Sequence, residues 1–196
     1  GKWITPESLG ELAALTHQRS AALHIDGARL WNASVAAGRP PSDWGVHADT
    51  LTFCLSKGLG APVGSVLCGS HKWIARAHRY RKMLGGGMRQ AGVIAAAGLY
   101  ALNHHVGDLA HDHRRAQELG QALESCPYVE IDRSSIHTNI VLFTPTRVSP
   151  AEACAELNDH VRILPFGDHQ IRAVLHRDID DEGVARAIKV LQDYFS

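Results

Sequence analysis

The sequence predicts an α/β fold that gives way, after its midpoint, to a smaller α+β domain. Three observations predict it. In the first half, helix-like segments alternate with short apolar runs, the pattern of a sheet covered by helices. Two of those runs end in residues suited to chemistry, Asp26 and Lys57, where ligands gather at the carboxyl ends of parallel strands. After about Glu124 the pattern shifts to strand-like runs joined by polar loops and closed by an amphipathic helix. The two domains are expected at 1–112 and 113–196.

Thr5-Pro6-Glu7 is a helix start, with a hydroxyl cap, proline at the first helical position and an acid near the positive end of the dipole. Leu9, Leu12, Ala13 and Thr16 mark one face of a helix running to about Arg19. Ala21 to Ile25 reads as a short buried strand ending at Asp26-Gly27-Ala28-Arg29. A carboxylate at that place either caps a following helix or pairs with a protonated ring nitrogen. Arg29 is either a surface arginine or a reader of a carboxylate or ring hydroxyl.

Thr50 to Cys54 is the next apolar, β-favouring run, followed by Leu55-Ser56-Lys57-Gly58-Leu59-Gly60-Ala61-Pro62-Val63-Gly64-Ser65. One lysine stands at the strand end among glycines, with Ser56 before it. Glycine there permits unusual backbone angles and close approach of a flat ligand. A partly desolvated lysine becomes a nucleophile for a carbonyl carbon, the geometry that pyridoxal 5′-phosphate chemistry needs. The bland alternative is a surface lysine in a Gly-rich turn.

Gly64 to Gly69 is expected to be another strand, and His71 to Met83 a basic helix whose charges face solvent. Gly85-Gly86-Gly87 breaks that helix before Met88-Arg89-Gln90, and the glycine run offers N–H groups to an anion. Ala91 to Leu123 is helical, with a break near Gly107. Its histidines 104, 105, 111 and 113 lack the spacing of metal ligands on one helix face and are read as a wet surface. Further on, Tyr128–Ile131, Asn139–Phe143, Ile163–Leu164 and Ile171–Leu175 read as strands, and Pro150–Asn158 as a helix. Asp180 or a neighbour caps a last helix carrying Val184, Ile188, Leu191 and Phe195 on one face.

The 196 residues balance 20 basic against 20 acidic side chains, which argues against bulk binding to nucleic acid or an anionic membrane. No apolar run has the length of a membrane span. The cysteines at 54, 68, 126 and 154 are too dispersed for a zinc knuckle or a disulfide framework, so a reducing, cytoplasmic setting is expected.

The blocks His24 to Leu30, Cys54 to Ser65 and Arg81 to Gln90, with a weaker block Ile171 to His176, resemble low-specificity L-threonine aldolases of the β-eliminating lyase superfamily. The resemblance covers essentially the whole chain. It implies the C-terminal part of a fold-type-I pyridoxal-phosphate large domain followed by the small α+β domain. It also implies roles: Lys57 carrying the cofactor, Asp26 at the pyridine nitrogen, Ser56 and Arg29 at the cofactor, and Arg29 and Arg172 at the substrate carboxylate. Lys82 and Arg89 would reach a cofactor phosphate, that of a neighbouring subunit in a homotetramer. The implied reaction is reversible retro-aldol cleavage of L-threonine or L-allo-threonine to glycine and acetaldehyde. His176 and His47 are the first histidines to weigh as the base for the β-hydroxyl proton.

The family pattern further implies a portion preceding Gly1 that supplies a Gly-Thr phosphate loop, a histidine stacked on the ring and a serine near the substrate. That portion is an expected partner of this chain, which by itself would hold a partial site. Two other readings stay open: another β-eliminating amino-acid lyase sharing Asp26, Arg29 and Lys57, and a non-catalytic oligomerisation module.

Overall fold

The computed structural model describes residues 1–196. They form two compact units, Ile4–Gly107, and Gly1–Trp3 with Asp108–Ser196. The division falls just past Gly107, where the sequence breaks the helical region, whereas the domains were drawn at 112. The helix that follows belongs wholly to the second unit because its first residue, Leu109, is already buried.

The Ile4–Gly107 unit opens with α1 (Pro6–Gln18), whose Thr5 side chain accepts the Ser8 N–H at 3.1 Å. Leu9 and Ala13 are its buried face. Then come β1 (His24–Asp26), α2 (Leu30–Ala37), α3 (Ser42–Gly45), β2 (Thr50–Cys54) and β3 (Ser65–Gly69). The three-stranded sheet has the order β1-β2-β3. β1 and β2 are parallel, with Asp26 opposite Thr52, and β3 returns antiparallel to β2. The Asp49 carboxylate sets the start of the parallel pair by accepting the Leu23 N–H at 2.8 Å and meeting His17 at 2.9 Å. α2 and α3 were not read from the sequence. They are short, eight and four residues, and form where Trp31 packs edge-on against Phe53 and the buried Trp44 donates to the Ile4 carbonyl.

Two further helices complete this unit, α4 (His71–Met83) and α5 (Gly92–His104). α4 has no buried residue, so its basic run is a solvent-facing surface in this chain. The glycine run after it is a helix stop. Gly85 takes a left-handed φ of +82°, its N–H goes to the Lys82 carbonyl and that of Gly86 to Arg81, a Schellman cap. Those two N–H groups are thus consumed by the helix end, which corrects their reading as an anion cradle.

In the other unit, α6 (Leu109–Glu124), α7 (Pro150–Leu157) and α8 (Asp181–Tyr194) cover a four-stranded antiparallel sheet of β4 (Val129–Glu130), β5 (Ile140–Pro145), β6 (Leu164–Phe166) and β7 (Gln170–Val174), ordered β4-β5-β7-β6. Alternation decides the faces. Val141, Phe143, Ile171 and Ala173 point into one core with Leu119, Leu123, Val184 and Leu191. Each large apolar side chain buried there contributes about 1.5–3 kcal/mol. Asp180 caps α8 through the Gly183 N–H at 2.7 Å, and Val184, Leu191 and Phe195 are buried as the helix pattern requires. No helix in either unit is long and apolar enough to cross a membrane.

Candidate active site

Asp26 is the last residue of β1, and Lys57 lies three positions past Cys54, the end of β2. Because β1 and β2 are parallel and in register, both residues leave the sheet at its carboxyl edge. Asp26 Oδ1 accepts the Ala28 N–H at 3.1 Å, a turn that steers the chain out of the strand, while its second oxygen takes no hydrogen bond from the protein. The N-cap of α2 is Arg29, not Asp26. Gly27 allows the strands to stay close: a Cβ there would sit 2.8 Å from the Thr52 carbonyl oxygen. Arg29 is half-buried at the head of α2, with its Nε shielded from solvent.

Lys57 sits in a closed loop. The Leu55 N–H donates to Gly64 O at 2.9 Å, Ala61 N–H to Leu55 O at 3.0 Å, and Gly60 N–H to Lys57 O at 2.8 Å. Gly60 and Gly64 have φ of +69° and +108°, so the glycines serve the turn geometry. Leu55, Leu59 and Ala61 are buried beneath, while Ser56 and Lys57 are exposed. The glycines therefore shape the loop without walling in the amine.

Lys82 and Arg89 face an open cleft of about 500 Å³ together with His78, Arg79 and Arg81. Its strongly basic lining suits a phosphate dianion. Lys82 lies across Gly87, where a Cβ would come within 2.5 Å of its Cδ.

Arg172, in the second unit, occupies the middle of β7 between Leu142 of β5 and Leu164 of β6, on the face turned away from the buried Ile171 and Ala173. Its Nε is buried without a hydrogen-bond partner, no carboxylate of the chain pairs with it, and its guanidinium lies 5.7 Å from the Phe166 ring. A guanidinium that no carboxylate of the chain neutralises suits a carboxylate ligand.

The two histidines weighed as bases each have a local partner. His47 precedes β2 and its ring packs on Gly10, so it lies at the amino end of the strand whose carboxyl end leads to Lys57. His176 follows β7 and meets Asp178 at 3.3 Å. His105 was missed. Read as part of a wet helix surface, it places Nδ1 2.7 Å from the Leu59 carbonyl, inside the Lys57 loop. Its i, i+1 pairing with His104 carried no signal, because the contact spans 46 positions of sequence. No group of three or more His, Cys, Asp or Glu side chains is placed to hold a metal ion.

Lys57 and Asp26 thus stand at the carboxyl ends of neighbouring parallel strands, the edge at which α/β folds bind ligands. The chain belongs to the beta-eliminating lyase family, whose profile matches residues 1–145. It is 41% identical over 185 residues to the low specificity L-threonine aldolase of Escherichia coli K12, covering 94% of this chain and 54% of that protein. It is 36% identical over 196 residues to low-specificity L-threonine aldolase 1 of Arabidopsis thaliana, covering 98% and 55%. The fold matches the threonine aldolase of Leishmania major with a TM-score of 0.79 at 19% identity, over all of this chain and 58% of the other. A cysteine desulfurase of Thermococcus onnurineus matches at 0.70 and 18%, over 95% and 56%. The chain thus spans about half the length of the curated relatives it matches. Members of this family are lyases whose cofactor is pyridoxal 5′-phosphate. The residues fit that group: a carboxylate oxygen without a protein donor and an amine stand at adjacent strand ends.

Proposed function

We propose that this chain carries the lysine side of a low-specificity L-threonine aldolase, which cleaves L-threonine or L-allo-threonine reversibly to glycine and acetaldehyde. The observation that carries the reading is the placement of Asp26 and Lys57 at the same edge of one parallel strand pair, with an unused oxygen on Asp26. The names of the relatives supply the substrate class.

Pyridoxal phosphate supplies an electron sink conjugated to the substrate's Cα. Lys57 would hold the cofactor through its Nζ. Asp26 keeps a proton on the ring nitrogen, and so keeps the ring cationic. Ser56 and Arg29 would contact the cofactor, and Arg29 would also read a carboxylate. Arg172 binds the substrate carboxylate through its planar fork and orients the amino acid. Lys82 and Arg89 hold a phosphate at the open cleft, that of a neighbouring subunit in a homo-oligomer. The exposed apolar side chains Met83, Leu84, Val93 and Leu99 support such assembly.

Borohydride reduction with pyridoxal phosphate should fix the cofactor to one peptide containing Lys57, and a label on Lys72 or Lys82 would defeat the assignment. Acetaldehyde and glycine should form from L-threonine. Release of other β-substituents in their place would point to a different lyase of the family, and no visible absorbance to a non-catalytic module. The chain alone should hold the cofactor weakly and turn over slowly, while joining it to the N-terminal half of the Escherichia coli relative should raise both.

A further inference from the structure

The loop that carries Lys57 is gripped by α5 at two points. At the first, the bare Cα of Gly98 receives Leu55: a Cβ at 98 would stand 2.8 Å from Leu55 Cδ1. At the second, His105, which ends α5, places Nδ1 2.7 Å from the Leu59 carbonyl oxygen. Leu55 and Leu59 bracket Lys57 at two residues on either side, and both are buried.

The second grip acts on a single peptide unit. The carbonyl of the Leu59–Gly60 peptide faces His105, and the N–H of the same peptide donates to Lys57 O at 2.8 Å. Nδ1–H, the peptide and the Lys57 carbonyl therefore form one chain of hydrogen bonds whose links polarise each other. The acceptor at Leu59 can only accept, so the proton lies on Nδ1. Tyr100 braces the ring edge-on at 5.4 Å and 79°.

We infer that His105 is a positioning residue for Lys57: its Nδ1–H locks the Leu59–Gly60 peptide, and that peptide locks the main chain from which the lysine projects. The inference rests on the reading of Lys57 as the cofactor lysine. Reacting groups work within narrow tolerances of distance and angle, so a peptide free to rotate two residues away spreads the amine over unproductive positions.

The test compares His105→Asn, His105→Gln and His105→Leu by two measurements on the protein. One is hydrogen–deuterium exchange at the Gly60 amide without cofactor. The other is the rate at which pyridoxal phosphate is captured by Lys57, read as visible absorbance. Asparagine sets its amide nitrogen where Nδ1 stood, whereas glutamine carries it one bond too far. H105L and H105Q should speed exchange at Gly60 and slow capture by about tenfold, the worth of one hydrogen bond, and H105N should stay within about twofold. Native behaviour in H105L, or a defect in H105N equal to that in H105L, would overturn the inference. If H105L does not fold, the contrast between Asn and Gln decides. Absence of capture at Lys57 in the unaltered protein would instead sink the aldolase reading, and the exchange arm would still judge His105.

Discussion

Asp26 and Thr52 stand opposite each other in the parallel pair β1–β2, so the aspartate leaves the sheet beside the strand that leads into Lys57. One oxygen of Asp26 holds the turn at Ala28 and the other is open. Asp26→Asn retains an acceptor for the Ala28 N–H but loses the charge. Turnover of L-threonine should fall by about two to three orders of magnitude, the scale of losing one preorganised electrostatic contact, with folding intact. Asp26→Ala should lose the turn as well, at about 1 kcal/mol in a urea melt. Native kcat/KM in D26N would remove Asp26 from the site.

Arg172 has a buried Nε without a hydrogen-bond partner, on the face of the second sheet opposite its core. Arg172→Ala should weaken amino-acid binding by about two orders of magnitude, and lysine should restore little because it lacks the planar fork. The measurement is KM for L-threonine. An unchanged KM would transfer the clamp to Arg29.

Gly27 stands where a Cβ would press on the Thr52 carbonyl at 2.8 Å, and backbone cannot yield as a side-chain tip does. Gly27→Ala should cost about 1–3 kcal/mol, as overpacking does, and weaken cofactor binding by moving the end of β1. Gly45→Ala is the control, since nothing lies within 4 Å of its Cβ. Equal melting of the two variants would show that β1 and β2 can part without penalty.

Asp112, buried on α6, has a carboxyl raised above its ordinary 3.8 by desolvation; Arg115, His176 and Arg177 oppose the rise and Asp108 adds to it. The folded chain therefore keeps a proton over a pH interval in which the unfolded chain has lost it. Stability from this group is full below the unfolded value and falls as pH rises through the folded one. Asp112→Asn should raise the melting temperature at neutral pH, with the gain shrinking on acidification toward about pH 4. A lower melting temperature at every pH would mean that the charged carboxylate stabilises the fold.

The sequence alone determined what is settled within a few residues. The hydroxyl of Thr5 ahead of Pro6, the cap at Asp180, the alternation in Ile171–Leu175 and the helical stripe ending at Phe195 all formed as their local hydrogen bonds and periodicity require. The candidate lysine and aspartate were also legible, because a glycine-flanked lysine after one apolar run and an aspartate after another are rare enough to stand out. The glycine run at 85–87 was legible only as a break. Whether its N–H groups served an anion or the helix behind them depended on the φ of Gly85. Only tertiary structure decided the relations across long separations. It set β1 beside β2, turned Arg172 to the face opposite the core, and brought His105 to the Leu59 carbonyl 46 positions away. α2 and α3 likewise form where Trp31 and Trp44 find partners in distant segments. The physical reason is that caps and periodicities are intrinsic to a short stretch of chain, whereas pairing and side-chain docking are chosen by burial, which is a property of the whole core.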